Sequence, residues 1–309
     1  MPNKNRPRAT AELCTNTENW VVMGNSLLRG KSSLSATQAK LLRVAIMQVK
    51  IDEDGIGAYH IKAKELAELL DLDETNFSRD LQKACYDLAE KTVKIATHNP
   101  KKPWKVMPWI GYIEYTESAE VIVQLNTWLS PYLIGLKQNG NYTQYVLDCI
   151  LSMNSIFSIR IYELLKMKLQ NDDLPVGGVI VRFSNEEIRQ ATESEKTFKQ
   201  NIEFKRKVLE VATKEISEKA DFKVTYTQKK LHGRSYDTVE FLCKSRWDNG
   251  QEPSIEMQCK TRLIKMNQLR EKQGKKSLGM YSTVAKGMIF ESVEEFDLFL
   301  IDYIANNDK

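Results

Sequence analysis

The strongest constraint on this chain is that it repeats itself. Leu41-Leu42 in one helical pattern is answered by Leu164-Leu165 in another, Leu66 by Ile188 and Leu81 by Leu209, at offsets of 123, 122 and 128 residues. A near-constant offset across three successive segments means that one supersecondary unit is used twice. In 309 residues two such units leave a C-terminal remainder, so the chain holds more than one core.

In the first copy, SATQAKLLRVAIMQV from Ser35 puts Leu41, Leu42, Ala45, Ile46 and Val49 on one helical stripe. A strand, AYHI, leads into KAKELAELL. DETNFSRDLQKACYDLAEK forms the next helix, with Asp73 or Thr75 as N-cap and Phe77, Leu81, Ala84, Cys85 and Leu88 inward. TVKIAT, KVMPWIGYIEY and AEVIVQL then form a small antiparallel sheet packed by Trp104, Trp109, Tyr112 and Tyr115, its first turn being HNPKKP. Helices are expected from Asn126 or Thr127 to about Lys137 and over TQYVLDCILSMN. The second copy reads SIRIYELLKMKLQ (helix), GGVIVRF (strand), SNEEIRQA (helix), FKQNIEFKRKVLEVATKEISEKA (long helix), then FKVTYTQ and DTVEFLC around the turn KKLHGRSY.

Helix, strand, helix, helix, hairpin is the order of a winged helix. The expected class is therefore α+β: two tandem winged-helix domains with small antiparallel sheets, plus a mostly helical C-terminal appendage. The divisions are a flexible arm at 1–20, winged helices at 21–140 and 141–248, and the appendage at 249–309.

Several chemistries are excluded. No apolar run approaches the roughly 20 residues that span a bilayer, and the basic N-terminus lacks the apolar stretch of a signal peptide, so a cytoplasmic protein without membrane contact is expected. The five cysteines, Cys14, Cys85, Cys149, Cys243 and Cys259, are scattered without a CxxC pair, which fits a reduced compartment. His60, His98 and His232 are too far apart for an HxH or HExxH metal signature. Glu186-Glu187 and Glu294-Glu295 sit where they complement helix N-termini. Asn25-Ser-Leu-Leu-Arg-Gly-Lys-Ser32 imitates a phosphate loop, but Asn25 stands where the first glycine belongs and Gly24 is one residue early. No catalytic group, cofactor or metal is expected, and the chain is read as a non-enzyme.

The net charge is only +4, so the distribution carries more than the total. Lys260, Arg262, Lys265, Arg270, Lys272, Lys275, Lys276 and Lys286 face one acid, Glu271, whereas the segment after 288 is acidic. On a wheel of the 198–219 helix, Phe204, Val208, Leu209, Ala212 and Ile216 share one face, and Lys199, Glu203, Arg206, Lys207, Glu210 and Lys214 lie opposite. Lys205 falls on the apolar side, so either its stem snorkels or the helix starts late. In a helix-turn-helix unit this polar face enters the major groove and the hairpin touches the backbone. Lys229, Lys230 and Arg234, with His232, crowd the second hairpin turn, and Lys101 and Lys102 are assigned to the equivalent turn of the first copy. Arg79, Gln82 and Lys83 occupy the exposed face of the corresponding first-copy helix. All twelve, from Arg79 to Arg234, are candidate DNA contacts.

The segments VVMGNSLLRG, WLSPYLIGLKQNGNYTQYVLDCI, SIFSIRIYELL and FKRKVLEVATKEI, with the VTYTQKK…GR…VEF hairpin, resemble the replication initiator (Rep) proteins of theta-replicating, iteron-type bacterial plasmids, the RepA/RepB/RepE-like group. The resemblance covers about residues 20–245. It implies monomers bound to direct repeats (iterons) in double-stranded origin DNA, opening of an adjacent AT-rich segment, and recruitment of the host initiator and the replicative helicase or its loader. It also implies a homodimer, joined through the N-terminal domain, that represses the initiator's own promoter. By position, Lys199, Arg206 and Lys207 fall on the family's principal major-groove helix. A winged-helix transcriptional regulator without a replication role has the same DNA contacts, and a nicking initiator or an ATPase is the enzymatic rival.

Overall fold

The computed structural model describes residues 20–49, 55–70, 72, 75–97, 100, 101, 103–136, 141–169, 174, 177–231 and 235–245, and from 259 onward scattered positions followed by 288–307. The expected arm at 1–20 lies outside them save for Trp20, as do Cys14, His98, Lys102, His232 and Arg234.

The chain enters through β1 (Trp20–Gly24) and the single turn α1 (Asn25–Leu28). The first copy follows as α2 (Ala36–Met47), β2 (Ala58–Lys62), α3 (Ala63–Leu69) and α4 (Phe77–Ala89). Next come β3 (Thr92–Ala96), β4 (Trp104–Pro108), β5 (Ile110–Tyr115), β6 (Glu120–Leu125) and a 3-10 segment over Thr127–Tyr132. β7 (Tyr142–Val146) and α5 (Asp148–Leu151) lead to the second copy: α6 (Ile156–Leu169), β8 (Val179–Ser184), α7 (Asn185–Ala191), α8, β9 (Phe222–Lys229) and β10 (Thr238–Ser245). The helix α8 is composite: α-helical over Asn201–Phe204, π-helical over Lys205–Leu209 and α-helical again over Glu210–Lys219.

The two copies match strand for strand. Their three-stranded antiparallel sheets have the orders β2-β6-β5 and β8-β10-β9, so β5–β6 is the first wing and β9–β10 the second. The three leucine correspondences read from the sequence fall on α2 and α6, α3 and α7, and α4 and α8. Ser35 caps α2 in a capping box with Gln38, and Ser184 does the same for α7 with Glu187.

Five local expectations are corrected. The ribbon β3–β4 is an insertion with its own two-stranded sheet, so the turn carrying Lys101 belongs to it; the first wing turn is Thr116–Ala119, which carries Glu117 and no base. The segment TQYVLDCILSMN is not one helix, because its start alternates buried and exposed residues and pairs with β1, leaving one helical turn at α5. The helix expected after Asn126 is a 3-10 segment holding Pro131, which cannot donate to a ladder. Asn76, not Asp73 or Thr75, occupies the N-cap of α4, without a side-chain bond. Trp109 is buried as expected, whereas Trp104 and Tyr112 face outward.

Asn19–Arg246 make one compact unit with a continuous core. The helices α2 and α6 are buried almost all round, more than their apolar stripes imply, because each also carries buried charge. Arg43 donates to Glu163 from Nε at 2.9 Å and Nη2 at 3.0 Å, and Tyr145 donates to the same carboxylate at 2.7 Å. Arg160 donates to the carbonyls of Gly30 and Ala191. Burial raises the cost of charging Glu163, but Arg43 and Arg160 outweigh it and hold the carboxyl below its ordinary range.

The phosphate-loop imitation is part of this junction. The amides of Ser32 and Ser33 donate to Glu193 Oε1 at 2.7 and 2.8 Å, Ser33 Oγ donates to Oε2, and Lys31 pairs with Glu195 at 2.7 Å. Protein carboxylates thus take the groups that a bound phosphate needs.

The described residues from Cys259 to Asn307 belong to a second unit. Its core joins Cys259, Leu263, Val284, Ala285, Phe290, Phe296 and Leu300, and its main helix is α9 (Val293–Asn307). Arg262 from the basic stretch is bidentate on Asp297 of the acidic one, at 2.5 to 3.1 Å. Among the described residues, no helix is long and apolar enough to cross a membrane.

Candidate nucleic-acid interface

The buried side of α8 is Phe204, Val208, Leu209, Ala212, Thr213 and Ile216. Three polar anchors fix the helix. Asn201 and Gln228 of β9 exchange amide hydrogen bonds at 3.1 and 3.0 Å, and Ser217 Oγ both donates to the carbonyl and accepts from the amide of Val224, each at 2.9 Å. The Glu215 carboxylate accepts from the amides of Asn154 and Ser155 ahead of α6. Burial pushes Glu215 up, and the nearby Ser158 hydroxyl, these two amide bonds and the bond from Lys219 bring it below its ordinary pKa.

Between the anchors lies the π turn, and it resolves the conflict at Lys205. A π turn carries an extra residue, so Lys205 is lifted out of the apolar arc and is exposed beside Arg206 and Lys207. The helix neither buries a lysine stem nor starts late at that point. Single π turns inside α-helices recur at functional sites. Lys205 lies 3.9 Å from Glu210, and burial together with Glu210 pushes Tyr226 up to about 12, so that acid is engaged. Among the described residues no acid pairs with Arg206, Lys207, Lys214 or Lys199. Lys199 precedes the helix, which begins at Asn201 rather than 198.

The second wing is less free than its charge suggests. Lys229 Nζ is 2.6 Å from Glu240, which also takes Arg182 at 2.7 Å. Hydrogen bonds from Lys229 and then Arg182 hold Glu240 below its ordinary pKa. Lys230 lies over the Tyr236 ring at 4.8 Å and stays exposed at the start of the turn.

In the first copy, Arg79, Gln82 and Lys83 are exposed on α4, as expected, and with Tyr86, Glu114 and Tyr115 line a groove of about 550 Å³ against β5. Arg79 leans on Asp80 at 3.1 Å and Gln82 on Ser78 at 3.2 Å. Lys101 is exposed on the inserted ribbon, away from the wing turn to which it was assigned. Burial pushes the Cys85, Cys149 and Cys243 thiols up to about 12, and the described residues include no His, Cys, Asp and Glu cluster fit for a metal.

Two copies of a helix-strand-helix-helix-hairpin unit, with matching sheet orders and exposed second helices, make this a tandem winged-helix protein. A family model described as Initiator Replication protein, WH1, matches residues 20–166, and one described as Initiator Rep protein, WH2, matches 184–243. The chain belongs to the initiator Rep protein family, that of plasmid replication initiators. Among solved structures it is similar to the Pi initiator protein crystallised with iteron DNA, at TM-score 0.61 and 18% identity over 74% of this chain and 98% of that one. A WH1 domain of a replication protein isolated from a multiple sclerosis patient (MSBI1.176) matches at TM-score 0.26 and 16% identity, over 32% of this chain and 79% of that one.

Proposed function

We propose that this chain initiates plasmid replication by binding repeated double-stranded sites at its origin, without catalysis. The exposed face of α8, with Arg206, Lys207 and Lys214 and with Lys199 just ahead of the helix, enters the major groove, and Lys229, Lys230 and Arg234 lie along the backbone. Arg79, Gln82 and Lys83 on α4 form the second reading surface, and Lys101 and Lys102 reach the backbone from the inserted ribbon. The observation that carries this reading is the run Lys205-Arg206-Lys207, turned outward by the π turn with Arg206 and Lys207 unpaired among the described residues. The similarity to the Pi initiator, which was crystallised with iteron DNA, points the same way.

The bound protein opens the adjacent duplex, recruits the host initiator and the helicase or its loader, and as a dimer represses its own promoter. Footprinting across the DNA flanking the gene tests the core of this. Protections at a regular direct-repeat spacing are expected, and their absence overturns the reading. An origin plasmid that replicates only when the protein is supplied separates an initiator from a transcriptional regulator. Nicks in supercoiled origin DNA, or ATP turnover, refute the non-catalytic part.

A further inference from the structure

Ile202 is the second residue of α8 and is 71% exposed; among the described large apolar residues of its unit, only Trp128 at 75% is more open. Lone apolar residues are common on protein surfaces. What singles this one out is its setting. Lys199, Lys205 and Arg206 surround it in sequence and are exposed, and Lys205 and Arg206 stand three and four residues on, along the same side of the helix. The Asn201–Gln228 amide pair ties this end of the helix to β9 and occupies both side chains with one another. Neither amide is therefore free to read a base edge without breaking that pair, and the helix start presents a methyl-bearing side chain at a fixed position.

The major groove displays one apolar group, the C5-methyl of thymine. We infer that Ile202 is a specificity-determining residue that packs on a thymine methyl while Arg206 and the flanking lysines hold the adjacent edges and phosphates. This rests on the DNA-binding reading of α8. The N-terminal residues of a recognition helix are the ones that meet base edges. Three exposed cations, Lys199, Lys205 and Arg206, against the one exposed acid beside Ile202, Glu203, make a net positive setting that draws in a polyanion, which favours nucleic acid as the occupant.

The test uses the full chain and a duplex recovered by selection from random sequence. Each thymine of the site is replaced singly by uracil, which lacks only the methyl. Wild type is expected to lose about fourfold in affinity at one or two positions, the value of one buried methyl-sized group. Ile202→Ala, a change at an exposed position whose fold is to be checked by circular dichroism, is expected to bind thymine DNA about as weakly as wild type binds the uracil version, and to be indifferent to the replacement. Arg206→Ala is expected to keep the thymine preference. Specific binding with no thymine-to-uracil difference, or a difference that survives in Ile202→Ala, overturns the inference and leaves the DNA reading standing. Failure of wild type to select any duplex overturns the reading of α8 itself.

Discussion

Arg43 of the first winged helix and Glu163 of the second form a two-pronged ion pair in the core, with Nε–Oε1 at 2.9 Å and Nη2–Oε2 at 3.0 Å, and both side chains almost fully enclosed. The pair holds α2 against α6, so the two copies are joined by charge as well as by apolar packing. Desolvating two ions offsets most of their attraction, but removing one partner strands the other without water. Arg43→Met is expected to cost about 3–5 kcal/mol of stability. Glu163→Ala is expected to cost at least as much, since it leaves Arg43 and Arg160 facing each other. Urea unfolding of each variant checks this, and a loss of only a few tenths of a kcal/mol would remove the pair from the account.

Glu193 gives the junction an acid sensitivity. Burial pushes its carboxyl up, but the bonds from Ser33 and Ser32, with Arg160 nearby, bring it below the ordinary value of 4.5. A carboxyl whose native pKa lies under its unfolded one adds stability that is complete above the ordinary range and drains away as pH falls through the native value. Glu193→Gln is therefore expected to be less stable than wild type at neutral pH by about 1–3 kcal/mol, the worth of hydrogen bonds to a charged acceptor. The gap closes as the solution is taken below the ordinary carboxylate pKa. Stability curves for both proteins at neutral and acid pH measure it, and a gap that widens in acid contradicts the assignment.

Arg206 and Lys207 separate two kinds of DNA contact. Arg206→Ala is expected to weaken binding to the selected site by about 1–3 kcal/mol and to relax preference at one base pair, as loss of a two-pronged contact to guanine does. Lys207→Ala is expected to weaken all duplexes alike and to lower the salt slope by about one. Fluorescence anisotropy at several salt concentrations distinguishes them. If Arg206→Ala binds the site normally, the groove-facing side of α8 has been misassigned.

The repeat, the two sheets and the helix pairs were legible because each rests on local periodicity that recurs. What escaped the sequence depended on partners. TVKIAT and KVMPWIGYIEY alternate as strands do, but nothing local says that Trp104–Pro108 pairs with β3 while Ile110–Tyr115 pairs with β6. Two basic turns at matching positions were therefore inferred where one is the wing and the other an insertion. The buried charges on α2 and α6 were also hidden, since Arg43 and Glu163 lie 120 residues apart and each reads alone as a solvated residue. The wheel of the 198–219 helix assigns Ile202 to neither face. The wheel did flag Lys205, and that flag was the one local sign of the π turn.

The π turn yields the sharpest structural prediction. The buried residues of α8 are Phe204, Val208, Leu209, Ala212, Thr213 and Ile216. On a straight α-helix at about 100° per residue they spread over about 180°, whereas with one residue removed between Phe204 and Val208 they close to about 140°. The π turn is thus one inserted residue, and the core is satisfied without it. Deleting Lys205 is expected to leave a regular helix and a fold within about 1–2 kcal/mol of wild type. It also sets Arg206 three positions after Ile202 instead of four, while Phe204 and the Asn201–Gln228 pair keep Ile202 in place, so the two side chains lose their present spacing and specific DNA binding should fall at least tenfold. Deleting Lys214 instead, in regular α geometry, swings Ile216 off the core and should cost far more stability. Thermal unfolding and anisotropy on the two deletions decide the matter. A Lys205 deletion that unfolds like the Lys214 one would show that the inserted residue serves the fold; one that folds and still binds specifically would show that the π turn has no part in reading DNA.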